Sequence, residues 1–434
     1  YHYLCGGIDM IIEIRAKNCF AFEEQVVFSM EADMRNKKFS SNVHKENNFN
    51  ILKVAGIYGP NNVGKTCLVK CINAMRQIML NKRISLNPNI FSNSPICELG
   101  ITFLYNSRKF SYDIHYNVSN KDFLYEKFVE ILKDKYNNEK EVIWLLKDGT
   151  NKEYFCIDED MTQMIQFMAK NSVICHMLDT SKFEHLEQMK NIITGFAKKI
   201  DIINMNNIPL KKTIDLMKNN NNLQAKVAEF VKSADLYMDN FEYVDMDKIK
   251  VNVENAGDKP DEKALDIPEQ VMDQMRLVST YKGVPVPSVL FDSTGTKKIA
   301  ALASYVIEGL EQGRILVVDE LDSSIHFKLT RAIVAMFNNE LNSTAQMIFT
   351  VHDINLMDCK RMFRKEQIWF VDKEDDGVYV YSLADFTAQQ GVRDTSDIIE
   401  KYRKGALGAL PEPDLIRSLL SLKGNKKGED TYDE

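Results

Sequence analysis

The sequence predicts an α/β fold with two α/β lobes separated by a helical insertion and an antiparallel β subdomain in the first lobe. Three observations predict it. The apolar run Ile51-Leu52-Lys53-Val54-Ala55-Gly56-Ile57 leads into the turn Gly59-Pro60-Asn61-Asn62-Val63-Gly64-Lys65-Thr66 and then into a helix-like stretch from Cys67 to Met79. Far downstream, Ile315-Leu316-Val317-Val318-Asp319-Glu320 is a second apolar strand, this one ending in two acids. Between Met161 and Met246 the texture changes from short β-rich runs to apolar residues three and four apart, such as Met161, Ile165, Met168 and Ala169, or Leu223, Val227, Phe230 and Val231.

Taken in order, Met10 to Arg15 and Gln25 to Met30 are short β-rich runs that suggest an opening antiparallel pair. Arg35 to Asn50 is polar and Asn/Lys-rich, a loop leading into the strand at 51–57. Leu99 to Tyr105 and Phe110 to Tyr116 flank Asn106-Ser107-Arg108 as a hairpin, and Val142 to Leu146 and Tyr154 to Ile157 continue the strands around Asp148-Gly149. Phe123 to Leu132 fits helix or strand, and periodicity does not decide. Within the helical segment, Asn219 to Asn222 reads as a solvated turn, and the Lys pairs at 198–199 and 211–212 read as solvated faces rather than a nucleic-acid patch. Asp258-Lys259-Pro260-Asp261-Glu262 reads as a charged linker. Beyond Pro285 and Pro287 the second block runs as helix Lys297 to Leu310, strand Arg314 to Asp319, helix Phe327 to Leu341, and strands Gln346 to Val351, Gln367 to Val371 and Val378 to Ser382. The expected boundaries are 10–157 for the first lobe, 158–285 for the insertion, 286–422 for the second lobe and 423–434 for a disordered charged tail.

A chain of 434 residues accommodates two or three domains, or one large domain with an insertion. Its net charge of −7 argues against a surface that coats nucleic acid, so any such contact is expected to be local or borrowed from a partner. Eight cysteines occur without a C-x-x-C pair; Cys67 and Cys71 sit one helical turn apart, and the set reads as reduced core residues of a cytosolic protein. No apolar run reaches spanning length and Tyr1 to Asp9 lacks the layout of a signal peptide, so the cytoplasm is expected, without membrane attachment. The folded pattern begins at Met10, and residues 1–9 are expected to be an upstream remnant.

Gly59 to Thr66 matches G-x-x-x-x-G-K-[ST] in every fixed position. The glycines let the backbone curl so that successive N–H groups point at phosphate oxygens. Lys65 then reaches the β and γ phosphates, the Thr66 hydroxyl ligates Mg²⁺, and the helix continuing through Cys67 adds the partial positive charge of its N-terminus. Asp319 ends a strand of the kind buried on both faces of a parallel sheet, where open α/β sheets bind ligands. It is expected to hold Mg²⁺ through water, with Glu320 polarising the attacking water as general base, a Walker B pattern. Ser293-Thr294-Gly295-Thr296-Lys297 opens the helix before this strand and is, read alone, equally a plain helix N-cap. His352 ends the following strand, where a histidine read alone is more simply structural.

In this order the motifs resemble those of the ABC-type ATPases, in which a Ser-Gly signature precedes Walker B and a switch histidine follows it. The resemblance becomes closer over Asp292 to Lys298, Val318 to His326 and Phe349 to Leu356, which are similar to the bacterial AAA-family ATPases of abortive infection and phage defence. These are relatives of the overcoming-lysogenization-defect proteins and of ATPase subunits encoded beside restriction or abortive-infection genes. Ile12 to Phe22, Gln367 to Val371, Tyr381 to Leu383 and Tyr402 to Pro411 resemble the same group, and the match fades in the helical middle. The resemblance implies an ABC-type P-loop ATPase head that hydrolyses ATP with Mg²⁺ and dimerises head to tail. Ser293 and Gly295 of one head would cap the γ-phosphate held by the loop of the other, and His352 would sense that phosphate. His326, which stands where transporter-type heads carry the D-loop aspartate, would contact the partner head; on its own it is equally an exposed helix-start residue.

The resemblance further implies a homodimer or higher oligomer in antiphage defence, controlling an effector, a nuclease or toxin, encoded nearby. Thr294 departs from the second Gly or Ser of the signature and Ala406 stands where Arg is expected; no Q-loop glutamine or adenine-stacking residue is assignable. About fifty residues follow the last strand, so no appended nuclease domain is expected among them. Two rivals stand beside this reading. A DNA-repair head of the SMC or recombination-mediator type would show a basic surface or long heptads; a non-hydrolysing scaffold would use ATP only to hold a dimer, and Glu320 counts against it.

Overall fold

The central sheet draws its strands from both halves of the chain, which brings the two acids of 319–320 to the glycine-rich turn. The computed structural model describes residues 7–46, 49–134, 138–177, 179–234, 237–244, 269–393 and 396–410. In chain order these form β1 (Met10–Lys17), β2 (Val26–Ser29), β3 (Val43–Glu46), β4 (Phe49–Leu52), β5 (Val54–Tyr58) and helix α1 (Lys65–Met79). The meander β6 (Ile96–Tyr105), β7 (Arg108–Asn117), β8 (Asp122–Lys133), β9 (Glu139–Asp148) and β10 (Glu153–Cys156) follows. Next come α2 (Glu159–Ile165), α3 (Ile174–Met177), α4 (Glu184–Lys199), β11 (Ile200–Asn204), α5 (Lys211–Asn219), α6 (Asn221–Ala234) and β12 (Asn240–Tyr243). After α7 (Glu269–Met275), β13 (Leu277–Tyr281), β14 (Val284–Pro287) and α8 (Ser288–Phe291), the last part is α9 (Thr294–Gln312), β15 (Ile315–Asp319), α10 (Phe327–Asn338), β16 (Gln346–Thr350), β17 (Ile368–Glu374), β18 (Gly377–Ser382) and α11 (Ile398–Arg403).

Among the described residues, a six-stranded sheet has the order β11-β15-β16-β5-β17-β18, parallel except at β18. Its central strands are buried on both faces, as helices on either side require. The period of two decides which core each side chain joins: Ile315 and Val317 face the core shared with the antiparallel sheet, Leu316 and Val318 the core beneath α9 and α10. The antiparallel sheet runs β10-β9-β8-β7-β6-β1-β2. Helices α1 and α4 contribute Leu68, Ile72, Met75, Leu186, Met189 and Phe196 to the apolar layer between the sheets. Phe196 stacks on Phe103 of β6 at 4.1 Å, an aromatic contact that adds about 1 kcal/mol to its burial. Gln346 pins the sheets together where β1 bulges between Ile11 and Glu13. It accepts from Ile11 N at 2.9 Å and donates to Ile11 O and Leu52 O at 2.9 and 3.1 Å.

The opening antiparallel pair and the hairpin at 106–107 form as expected, with Asn106 and Ser107 at φ 49° and 62°, the doubly left-handed turn that matches strand twist. The undecided stretch Phe123 to Leu132 is strand, because it pairs with β7 on one side and β9 on the other, information its own periodicity does not hold. Two expectations are corrected. Residues 158–285 are not helical throughout: β11 lies within them as an edge strand of the central sheet, parallel to β15, and β12, β13 and β14 form a small sheet of their own. Residues just before Met10 also take part in the fold. Ile8 is buried and its N–H donates to Ser107 Oγ, while Asp9 Oδ1 accepts from Asn106 N at 2.9 Å.

One lysine of each pair is engaged, while Lys198 and Lys211 are exposed. Lys199 donates to Gln312 O, and Lys212 pairs with Glu308 at 2.8 Å and lies over the Tyr305 ring. Among the described cysteines all are free thiols and all but Cys67 are buried. No helix among the described residues is long and apolar enough to cross a membrane. The linker at 258–262 and the tail at 423–434 lie outside the described residues.

Candidate active site

Strand β5 delivers the chain into the loop, and Gly59 shows why the loop needs glycine at its start. Its φ is 145°, and a Cβ there would lie 2.2 Å from Val371 O on the neighbouring strand. Val63 turns its side chain into the core and contributes to the loop only through its backbone. Lys65 is the first residue of α1, and its ammonium folds back to donate to Gly59 O and Pro60 O, both at 2.7 Å, with His352 Nδ1 at 3.5 Å. Burial pushes the Lys65 ammonium down from its ordinary value, opposed by the carboxylates of Asp322, Glu320 and Asp319. A cavity of about 410 Å³ opens over the loop, with Asn61, Thr66 and Cys67 on the loop side, Glu320 and His352 opposite, and Ala21 and Lys70 toward the antiparallel sheet.

Asp319 is the hub of the acidic side. Only 3% exposed, it accepts from Thr66 Oγ1 at 3.1 Å, from Thr350 Oγ1 at 2.7 Å and from Asn204 Nδ2 at 3.3 Å. Glu320 leaves the strand at φ 56°, a left-handed conformation uncommon for glutamate that costs on the order of 1 kcal/mol. Its neighbours hold it there: its N–H donates to Thr350 Oγ1 at 2.7 Å, and Leu321 N donates to Thr350 O at 3.0 Å. The Glu320 carboxylate accepts from Asn206 Nδ2. Asp322, two residues on, accepts the N–H groups of both His352 and Asp353, at 2.9 and 2.8 Å, and so fixes the backbone that presents the histidine.

The residues expected to form a signature lie elsewhere in the chain. Ser293 is the N-cap of α9, its Oγ accepting from Thr296 N at 3.1 Å, and neither Ser293 nor Gly295 lines the loop cavity. His326 is an exposed N-cap of α10 whose Nδ1 accepts from Lys328 N, also away from that cavity.

Thr66 and Asp319 set a hydroxyl and a carboxylate side by side, oxygen donors suited to Mg²⁺. Among the described residues no three His, Cys, Asp or Glu side chains gather as an all-protein metal cage. Four contributors were not singled out from the sequence: Asn204, Asn206, Thr350 and Asp322. The two asparagines lie beside the acidic strand end, delivered by β11 and the short turn of helix after it. A local signal existed, since Ile200, Ile202 and Ile203 are β-branched and follow a lysine-ended helix.

Residues 223–358 match the family model described as "AAA domain, putative AbiEii toxin, Type IV TA system". No curated protein matches the chain. Among solved structures, the SMC head domain from Thermotoga maritima aligns over 86% of this chain and 98% of that one, with a TM-score of 0.41 and 10% identity. The SmcHead bound to the C-winged helix domain of ScpA aligns over 88% and 99%, with a TM-score of 0.43 and 13% identity. The central sheet, with its phosphate-binding loop and acidic strand end beside an antiparallel sheet, gives the chain an α/β P-loop fold, and over residues 223–358 it is similar to the AAA domain of that abortive-infection family.

Proposed function

We propose that the chain binds and hydrolyses ATP with Mg²⁺ as a subunit of a bacterial antiphage system of the abortive-infection type. ATP-dependent head dimerisation would control a partner effector, a nuclease or toxin. The observation that carries the reading is a division of labour. Lys65, Thr66, Asp319, Glu320 and His352 converge around one cavity, whereas Ser293 and Gly295 of the same head stand outside it, so a second head would have to supply the remaining side of the phosphate cage. The family match over 223–358 supports the defence setting.

In the proposed reaction the loop amides and the N-terminus of α1 hold the phosphates, and Lys65 exchanges the carbonyls of Gly59 and Pro60 for β and γ oxygens. Thr66 and Asp319 would hold Mg²⁺, which neutralises phosphate charge. Glu320 orients a water in line with the γ-phosphorus and takes its proton as the P–O bond to ADP breaks. His352, on a backbone tied to Asp322, is placed to sense the γ-phosphate.

Glu320→Gln tests the reading, because the amide keeps the shape but cannot take the proton. The variant should bind ATP, release no phosphate, and show by light scattering an Mg-ATP-dependent increase in mass that the wild type shows only transiently. Hydrolysis at the wild-type rate would refute the general base. Blocked hydrolysis without a change in mass would leave the base standing and remove ATP-gated dimerisation.

A further inference from the structure

A chain of hydrogen bonds runs from the signature helix to the general base of the same head. Lys298, one turn into α9 beyond Ser293, donates its ammonium to Ser323 Oγ at 2.9 Å and to Ser323 O at 3.3 Å. Ser323 Oγ donates to Asn206 Oδ1 at 2.6 Å, and Asn206 Nδ2 donates to Glu320 Oε2. The direction of the chain follows from its first member. An ammonium can only donate, so the Ser323 hydroxyl accepts from it and gives its own proton to the amide oxygen, which turns the amide nitrogen toward the carboxylate. A second contact stiffens the same junction: a Cβ on Gly295 would lie 2.7 Å from Ser324 O, so the first turn of α9 rests directly on the backbone that follows Walker B. That backbone is itself a tight turn, with Ser323 N donating to Glu320 O at 2.9 Å and Ser324 at φ 64°.

We infer that Lys298, Ser323 and Asn206 are positioning residues that couple the signature of a head to its own general base, so that each of two paired heads hydrolyses ATP in response to the nucleotide its signature caps on the other. The inference rests on the reading of the chain as an ATPase with paired heads. Asn206 holds the Glu320 carboxylate through Oε2, and its release frees that oxygen to accept from the attacking water. A phosphate drawn onto the N-terminus of α9 displaces the first turn of that helix. With no slack at Gly295, the displacement reaches Ser323 and Lys298, and Asn206 lets the carboxylate go. Hydrolysis then depends on both sites being filled.

The test is phosphate release by the full chain across a range of ATP concentrations, alongside ATP binding by calorimetry. Wild type should give a sigmoidal curve. Lys298→Met should raise hydrolysis at low ATP by about 5-fold, the lower end of ordinary coupling between sites, and bring the curve to a hyperbola with ATP affinity unchanged. Lys298→Arg, which keeps a donor-only cation, should restore the sigmoid, a rescue that a purely structural lysine would not require. Ser323→Ala breaks the same chain one link on with little change in volume and should behave as Lys298→Met; it decides the matter if Lys298→Met does not fold. A hyperbolic wild type, or sigmoidal curves in both Lys298→Met and Ser323→Ala, would overturn the coupling. A wild type that hydrolyses nothing, or a Glu320→Gln that hydrolyses normally, fails differently: it removes the ATPase reading itself.

Discussion

Replacing Thr350 with valine separates the hydroxyl from the volume it fills. Thr350 is fully buried at the end of β16, and its Oγ1 both donates to Asp319 and accepts from the N–H of Glu320, each at 2.7 Å. Valine keeps the branched shape and removes both bonds. The lost bond to a carboxylate is worth about 1.5–3 kcal/mol, and the N–H of Glu320 left without its partner costs about 1–3 kcal/mol more. Because Glu320 is only half-buried, water recovers part of the second amount, and the net destabilisation should be about 3 kcal/mol. The same change frees Glu320 from the left-handed conformation that aims it at the cavity, so kcat should fall about 10- to 100-fold, or roughly 1.4–2.7 kcal/mol in the barrier. Urea unfolding and steady-state phosphate release measure the two effects. Thr350→Ser keeps the hydroxyl and should cost only the missing methyl, about 1 kcal/mol, with near-normal kcat. A Thr350→Val protein within about 0.5 kcal/mol of wild type and equally active would refute the assignment of Thr350 as the brace of both acids.

Lys65→Ala removes the cation between the loop carbonyls and three acids and should weaken ATP binding by calorimetry about 100-fold; unchanged affinity would dismiss the loop as the ATP site. Ser293→Arg places a bulky cation at the N-cap of α9, away from the loop cavity, so ATP binding by a single head should persist while hydrolysis stops. Normal turnover there would take the signature out of the mechanism. Glu126 predicts a pH dependence. It is fully buried between Tyr112 Oη and Ile174 N, both at 2.9 Å, and desolvation raises its carboxyl from 4.5 to about 7. A carboxyl raised in the folded state stabilises the fold most at low pH, so its contribution is complete below about 4.5 and is lost as pH rises through about 7. The loss is on the order of 3 kcal/mol. Glu126→Gln should flatten that window in denaturation midpoints measured at pH 5 and pH 8, and an equal slope in variant and wild type would remove Glu126 as the cause.

The sequence by itself determined the parts of the site whose geometry is local. Gly59 to Thr66 carries its own instructions, since positive φ at Gly59 and the helix begun by Lys65 are properties of adjacent residues. Ile315 to Glu320 is legible for a related reason: an unbroken apolar run implies a strand covered on both faces, and acids at its end fall at the sheet edge where ligands sit. The hairpin at Asn106-Ser107 and the N-cap at Ser293 are local in the same sense. The tertiary structure alone decided what depends on pairing between distant segments. Strand β11 carries a β-branched signal but follows α4 without a breaker, and its pairing with β15, more than a hundred residues later, puts it in the central sheet and carries Asn204 and Asn206 to the acids. Phe123 to Leu132 was undecided for the same reason. Thr350 and Asp322 join the site because strand order puts β16 beside β15 and brings their ends together. A hydrogen bond between residues thirty or a hundred positions apart leaves no periodicity behind, so the phosphate-holding half of the site is written along the chain, and the bracing of its acids exists only in the packed sheet.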